Sequence, residues 1–245
     1  MNLLLLQDGD LAADGTARLT GRRLLHARDV LRAQAGDELR VGRLGGAVGR
    51  GEVLRLGEDE LVLRVELGGP PPPRPGIDLL LAVPRPKALK KILPAAASLG
   101  IDRLVLVNAA RVERSFFASP VLAPESIAAL LHLGLEQARD TVPPEVLVRE
   151  RFRPFVEDEL DACFAADPLR LLAHPGAPPL RGALEGKAGR ALLAVGPEGG
   201  WAPFELELLA ARGFAAVSLG PRPLRTEVAV SALAGALVSL LAPAR

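Results

Sequence analysis

The chain changes rhythm near residue 70. Before that point, short β-leaning runs at residues 38–41, 51–56 and 60–66 are separated by frequent glycines. That pattern predicts a small barrel or curled sheet. After it, apolar runs alternate with stretches of helical spacing. Strands are predicted at 77–83, 103–108, 145–149, 169–173, 190–195 and 214–219, and helices at 87–99, 124–139, 155–164, 202–212 and 226–241. Within 124–139, Leu130, Leu131, Gly134, Leu135 and Ala138 recur at helical spacing. Such alternation predicts an α/β domain with a mostly parallel sheet. Between the two rhythms lies GGPPPPRPG, residues 68–76. Four successive prolines join neither a helix nor a central strand and favour a semi-rigid spacer. Two domains follow, 1–72 and 77–245, with 68–76 as linker. The last helix, VAVSALAGALVSLLA, is apolar or small on nearly every face, so it is buried within its domain or against a second subunit.

Composition narrows the classes. At 245 residues, 49% hydrophobic and 24% charged, the chain is long enough to bury a proper core. The net charge of +1 hides a skew: of 30 basic residues, only four are lysines. Arginine is the better residue for phosphate and base contacts, but the global charge neither demands nor excludes a nucleic acid. A single cysteine, Cys163, excludes an internal disulfide and a multi-cysteine zinc site, and reads as a small apolar residue on a helix. No histidine–cysteine–carboxylate combination has metal-ligand spacing, so no metal is expected. The start, MNLLLLQDGD, lacks a basic n-region. The apolar stretch at 229–242 falls short of the ~20 residues that span a bilayer. A cytoplasmic protein without a membrane partner is expected.

Chemistry is sought at strand ends, because open α/β sheets bind ligands beyond the carboxyl ends of their strands. Three ends stand out: LLAHPG (171–176), AVGPEGG (194–200) and SLGPRPLRTE (218–227). The second lacks the Walker lysine and does not fit GxGxxG. Its Glu198 repels a diphosphate and suits a cation or a ribose hydroxyl; taken alone, the pentapeptide reads equally as a tight turn. The third loop is stiffened by Pro221 and Pro223 and carries two permanent cations, Arg222 and Arg225. Thr226 suits the N-cap of the following helix and Glu227 its first turn. His174 ends the first loop's strand, as a hydrogen-bonded structural residue or at a cofactor edge. His132 reads as a surface residue in mid-helix.

GPEGG followed by LGPRPLRTEVA resembles the signature of the RsmE family, bacterial 16S rRNA (uracil-N3)-methyltransferases of the SPOUT superfamily. HARDVLRAQAGD (26–37), RVERSFFASPVL (111–122), GLEQARDTVPPEV (134–146) and RFRPFVEDEL (151–160) are also similar to that family, so nearly the whole chain is covered. The resemblance implies a PUA-like β-barrel that grips RNA, then a SPOUT domain whose parallel sheet carries a deep trefoil knot. It implies S-adenosyl-L-methionine held bent among the three loops, by Leu172, His174, Val195, Gly196, Pro197, Glu198, Gly199, Gly200, Leu219, Gly220, Leu224, Arg225 and Thr226. It also implies a homodimer acting on 16S rRNA in the 30S subunit, at N3 of uracil 1498. A glutamate within the glycine loop then does no harm, since an adenosyl sulfonium carries no phosphate. Val228 stands where many relatives have threonine, and Pro223 where isoleucine is more common.

The implied reaction assigns roles. Uracil N3 bears a proton at neutral pH, so Glu227 or Glu198 is expected to accept it. Arg225 is expected to stabilise the charge spreading onto the flanking carbonyls. RNA contacts are expected from Arg22, Arg23, His26, Arg32 and Lys87. Arg18, Arg22, Arg23, Arg28 and Arg32 lie close in sequence, opposed locally only by Asp29. With no aromatic before Phe116, the N-terminal part offers no stacking platform, and contacts should favour phosphates and shape. A different RNA as substrate, and a non-catalytic RNA-binding assembly factor, are the alternative readings.

Overall fold

The computed structural model describes residues 2–164 and 168–241; Ala242, the last residue of the apolar stretch noted above, lies outside them. The chain divides into two compact units. One comprises Met1–Pro73 with Leu131–Pro143, the other Arg74–Leu130 with Pro144–Arg245.

The first unit is built on a five-stranded sheet, β1 (Leu4–Leu6), β2 (Thr16–Leu19), β3 (Glu38–Arg43), β4 (Val48–Leu56) and β5 (Leu61–Gly69), in the order β1-β3-β4-β5-β2. Only β1 and β3 are parallel; the register of β4 on β5 shifts twice, at Val48/Gly49 and Val53/Arg55. Such irregularities bend a strand and curl the sheet. Its inward face carries Leu4, Leu6, Leu19, Val41, Val53, Leu61 and Leu63, all buried. β1 and β2, too short for a periodicity argument, escaped the sequence reading. So did the helical segment Gly21–Leu25, which widens to a π-type turn over His26–Val30. Residues 131–143 belong to this unit for reasons no local pattern carries: Gly45 N–H donates to Thr141 O (2.7 Å), and Asn2 N–H to Glu136 O (2.9 Å).

The second unit holds a six-stranded, wholly parallel sheet: β6 (Ile77–Ala82), β7 (Arg103–Val107), β8 (Glu145–Arg149), β9 (Leu169–Ala173), β10 (Ala191–Val195) and β11 (Ala215–Val217). Their order is β11-β9-β10-β6-β7-β8. Central strands β6 and β10 are buried at every position, which is why β10 reads as an unbroken apolar run and β6 is broken only by Asp78, whose buried carboxylate accepts from Arg190 (3.0 Å). The expected helices appear at Pro86–Ser98, Pro124–Ala138, Pro203–Ala211 and Thr226–Leu241. The expected helix at 155–164 is instead three joined pieces from Phe152 to Cys163, with a π-type turn over Phe155–Glu159. Thr226–Leu241 packs on β10, β6 and the Pro86–Ser98 helix. It buries one stripe, Val230, Leu233, Ala234, Leu237 and Leu241, and leaves Val228 and Leu240 exposed.

Candidate active site

Because all six strands run parallel, the loops after β9, β10 and β11, on adjacent strands, emerge at one edge of the sheet. Backbone bonds knit the outer two together. His174 N–H donates to Val217 O (3.0 Å), Ser218 N–H to Pro178 O (2.9 Å) and Leu180 N–H to Ser218 O (2.8 Å). The Ser218 hydroxyl donates to Ala177 O (2.7 Å). Leu172 is buried beneath this layer, while His174, Leu219 and Leu224 are exposed.

The middle loop is a tight turn, closed by Gly200 N–H donating to Pro197 O (2.8 Å). Gly200 has φ +70°, a left-handed conformation that costs a side-chain-bearing residue energy. Val195, at the end of β10, is buried, and Gly196 follows it directly over an indole. A Cβ on Gly196 would lie 3.1–3.3 Å from the ring of Trp201. Trp201 is itself buried and leans on Phe152, with ring centroids 5.4 Å apart. Glu198 does not point free into solution: its Oε1 accepts from Arg85 N–H (3.0 Å) at the start of the Pro86–Ser98 helix. The favourable field of a helix N-terminus holds a carboxylate there.

Three residues that the sequence reading passed over fasten this turn. Glu205 is fully buried, and its carboxylate accepts from Ala202 N–H and from Ala110 N–H, each at 2.7 Å. Ala110 belongs to the loop after β7, so Glu205 ties that loop to the one after β10. Arg111 adds a second tie, donating from Nη1 to Gly199 O (2.7 Å), its stem 3.4 Å from where a Gly199 Cβ would sit. Trp201 is the third. No local pattern marks them: Glu205 stands three residues after the N-cap Ala202, but alanine offers no side-chain acceptor for the other half of a capping box.

The last loop leads into the Thr226–Leu241 helix. Thr226, expected as its N-cap, is instead its first residue: Arg225 O accepts from Ala229 N–H (2.8 Å), the first bond of the helix. Thr226 is buried; the Arg225 side chain is exposed and makes no hydrogen bond or ion pair with another described residue. Glu227 pairs with Lys91 (3.4 Å) and its side chain is 18% exposed. A hydrogen bond from its own backbone N–H holds its carboxyl below the usual range; burial opposes it, and Lys91 and the nearby charge of Arg225 add to the lowering. It is therefore an ionised carboxylate beside two cations.

The N-terminal arginines differ from their expected isolation. Arg18 pairs with Glu60, Arg22 with Glu136 (2.7 Å) and Arg28 with Asp29. Arg23 donates to Leu5 O (2.8 Å) and binds Asp10 through both oxygens, 2.8 Å for Nη2. Asp29 is thus one acid among four. The others lie 13 to 114 residues away in sequence, beyond any local window. Arg32 is exposed, at φ +53°, without an ion pair to another described residue. His26 is half-buried, its Nε2 enclosed with no hydrogen-bond partner among the described residues. Lys87 is exposed on the first turn of its helix. His132, expected at the surface, is half-buried, and burial pushes its imidazole below the ordinary histidine value.

Comparison with known proteins gives one consistent family. The model of the RNA methyltransferase domain matches residues 71–238. A ribosomal RNA small subunit methyltransferase E of Treponema pallidum is 32% identical, over 95% of this chain and 88% of its own length. The protein of the same name from Mycobacterium bovis is 31% identical, over 86% of this chain and 82% of its own. Among solved structures, ribosomal RNA small subunit methyltransferase E of Neisseria gonorrhoeae, bound to S-adenosyl methionine, superposes with a TM-score of 0.77. It is 22% identical, with 98% of each chain covered, so the two share the fold.

Proposed function

The chain belongs to the RNA methyltransferase family, among the ribosomal RNA small subunit methyltransferase E proteins, and from that premise we propose that it methylates N3 of one uracil in 16S rRNA, with S-adenosyl-L-methionine as methyl donor. The observation that carries the reading is the convergence of three loops at one sheet edge, a glycine turn among them, with Arg225, unpaired among the described residues, and an ionised Glu227 at the head of the last helix.

The residues fit such a donor. Gly196 and Gly200 keep the turn free of side chains, and the exposed Leu219 and Leu224 offer apolar cover for an adenine. We assign to the donor Leu172, His174, Val195, the turn Gly196–Gly200, Leu219, Gly220, Leu224, Arg225 and Thr226. When bound, the donor supplies an electrophilic methyl group on sulfur, so the protein's task is to generate and align the nucleophile. Arg225 stabilises the negative charge that spreads over the uracil carbonyls as N3 loses its proton. Glu227 receives that proton. Glu198, already accepting from Arg85, is the lesser candidate and mainly shapes the turn. A carboxylate held low is a weak acceptor, so Arg225 carries most of the work of making N3 acidic.

Around this centre we place the expected architecture. The first unit serves as a PUA-like RNA-binding domain, residues 1–72, and the second as a SPOUT domain, residues 77–245. A trefoil knot accords with the path of the chain: from β11, at the sheet edge, it returns past β9 to pack its last helix on β10 and β6. Val228 and Leu240, apolar and exposed on that helix, suit a homodimer. RNA contacts come from Arg32, Lys87, Arg22 and His26, with Arg23 committed first to Asp10. The protein acts in the cytoplasm, on the 30S subunit. Incubating it with 30S subunits and a deuterated-methyl donor, then digesting the RNA for mass spectrometry, tests the reading. A labelled N3-methyluridine supports it; donor binding with no labelled RNA favours a different substrate, and no donor binding a non-catalytic RNA-binding factor.

A further inference from the structure

The two ends of the parallel sheet treat their arginines differently. At the amino ends of the strands, Arg74 pairs with Asp102, Arg103 with Glu145, Arg190 with Asp78, and both Arg170 and Arg212 with Asp161. At the carboxyl ends, Arg149 and Arg153 beside β8 pair with Glu159 and Glu157. Arg85 after β6, Arg111 after β7, Arg151 after β8, and Arg222 and Arg225 after β11 are instead exposed, with no ion pair to another described residue. They stay unpaired although Glu113 and Glu150 stand near Arg111 and Arg151 in sequence.

Two of these arginines are fixed at the glycine turn. Arg111 donates one N–H to Gly199 O (2.7 Å). Its stem lies along the turn: Cβ and Cδ are 3.4 and 3.5 Å from the position of a Gly199 Cβ, and Nη1 is 3.9 Å from that of a Gly200 Cβ. A guanidinium has five N–H donors, so most of the fork is left for another acceptor. Arg85 is held at the same turn by its backbone, whose N–H donates to Glu198 Oε1 (3.0 Å), and its exposed side chain is not used in that bond. A sulfonium donor gains nothing from added cations, whereas a polyanion does.

We propose that Arg111 and Arg85 seat RNA phosphates beside the target uridine, so that the second unit itself grips the substrate backbone next to the methyl donor. This rests on the RNA methyltransferase reading above. Phosphate contacts carry no base sequence; they fix register, and so position the base. Each is made equally before and during methyl transfer, and therefore acts on KM for the RNA and not on kcat.

Binding of the protein to 30S subunits is measured across a salt series, and S-adenosyl-homocysteine is titrated calorimetrically into the same samples. Arg111→Ala and Arg85→Ala are each expected to reduce the slope of log affinity against log salt by roughly 0.7–0.9, the double variant by the sum, and Arg111→Lys to keep the parent's slope. In Arg85→Ala the backbone bond to Glu198 is untouched, so KM for 30S subunits rises while affinity for S-adenosyl-homocysteine stays at the parent's value. Slopes equal to the parent's in both alanine variants, with 30S subunits still methylated by the parent, overturn the proposal alone. So does an Arg111→Ala protein that loses S-adenosyl-homocysteine affinity at an unchanged slope, because the guanidinium then only braces the turn or holds the donor's carboxylate. Should Arg111→Ala fold poorly, Arg85→Ala decides by the same slope. A parent that transfers no methyl group to 30S subunits overturns the function proposed above.

Discussion

Replacing Glu205 perturbs the site without touching any group assigned to the chemistry. Its carboxylate is wholly buried and accepts two backbone N–H bonds at 2.7 Å, one from Ala202 within its own loop and one from Ala110 in the loop after β7. Bonds of an N–H to a charged acceptor contribute about 1.5–3 kcal/mol each. Glu205→Ala removes both and strands the buried Ala202 N–H; the Ala110 N–H, nearer the surface, recovers part of its loss from water. The sum is about 3–4 kcal/mol. For a unit of this size that lowers the unfolding midpoint by about 10 °C. Glu205→Gln keeps one acceptor and turns an NH₂ toward the other donor, so it loses about half as much. Donor affinity should fall with both, since the turn assigned to the donor is no longer anchored. Differential scanning calorimetry and ligand titration on the same samples measure the two effects. An alanine variant that melts within 2 °C of the parent, or melts lower while binding normally, refutes the claim that this buried carboxylate organises the turn.

Other outcomes follow from the same geometry. Gly200→Val should abolish donor binding with the fold intact, because φ +70° excludes a β-branched residue; normal calorimetric affinity would dismiss the turn as a ligand site. Arg225→Ala should slow single-turnover methyl transfer by ~10²–10³ at saturating RNA and donor, with lysine rescuing in part; a near-normal rate makes Arg225 a binding residue only. Arg32→Ala should reduce the salt slope of RNA binding by roughly 0.7–0.9, whereas Arg22→Ala should also destabilise the first unit, since Glu136, 2% exposed, is left unpaired. Burial lowers the His132 pKa in the folded state, so above 6.5 it is neutral in both states and has no effect. As pH falls through 6.5, the unfolded chain binds the proton first and stability declines. His132→Gln should flatten that decline in a pH series of denaturant midpoints, and an unchanged series contradicts it.

Much of the second unit was legible because its signals are local. Strands such as Ala191–Val195, buried on both faces, read as unbroken apolar runs, and glycine, proline and arginine gather at the strand ends where side-chain-free or stiffened backbone is needed. What stayed hidden was set by distant partners. Arg22 and Arg23 looked like free cations until Glu136 and Asp10 met them. Residues 131–143 looked like helix and loop of the α/β unit, yet their backbone bonds lead to Asn2, ahead of β1, and to the turn after β3. Glu205 and Arg111 carry no pattern that separates a buried tie from a solvated charge; only the approach of the β7 loop distinguishes them. The helix at 226–241 reads as apolar all round, and only packing reveals which stripe the domain buries and which it leaves bare.

Methyl transfer to N3 of one 16S rRNA uracil is tested most directly by comparing cells with and without the gene. Nuclease-digested 16S rRNA from each is analysed by mass spectrometry, with the deletion complemented by the intact gene or by the Arg225→Ala form. N3-methyluridine is expected at a single site in the parent, with none in the deletion, full recovery with the intact gene and little with the variant. An identical N3-methyluridine signal in parent and deletion would contradict it.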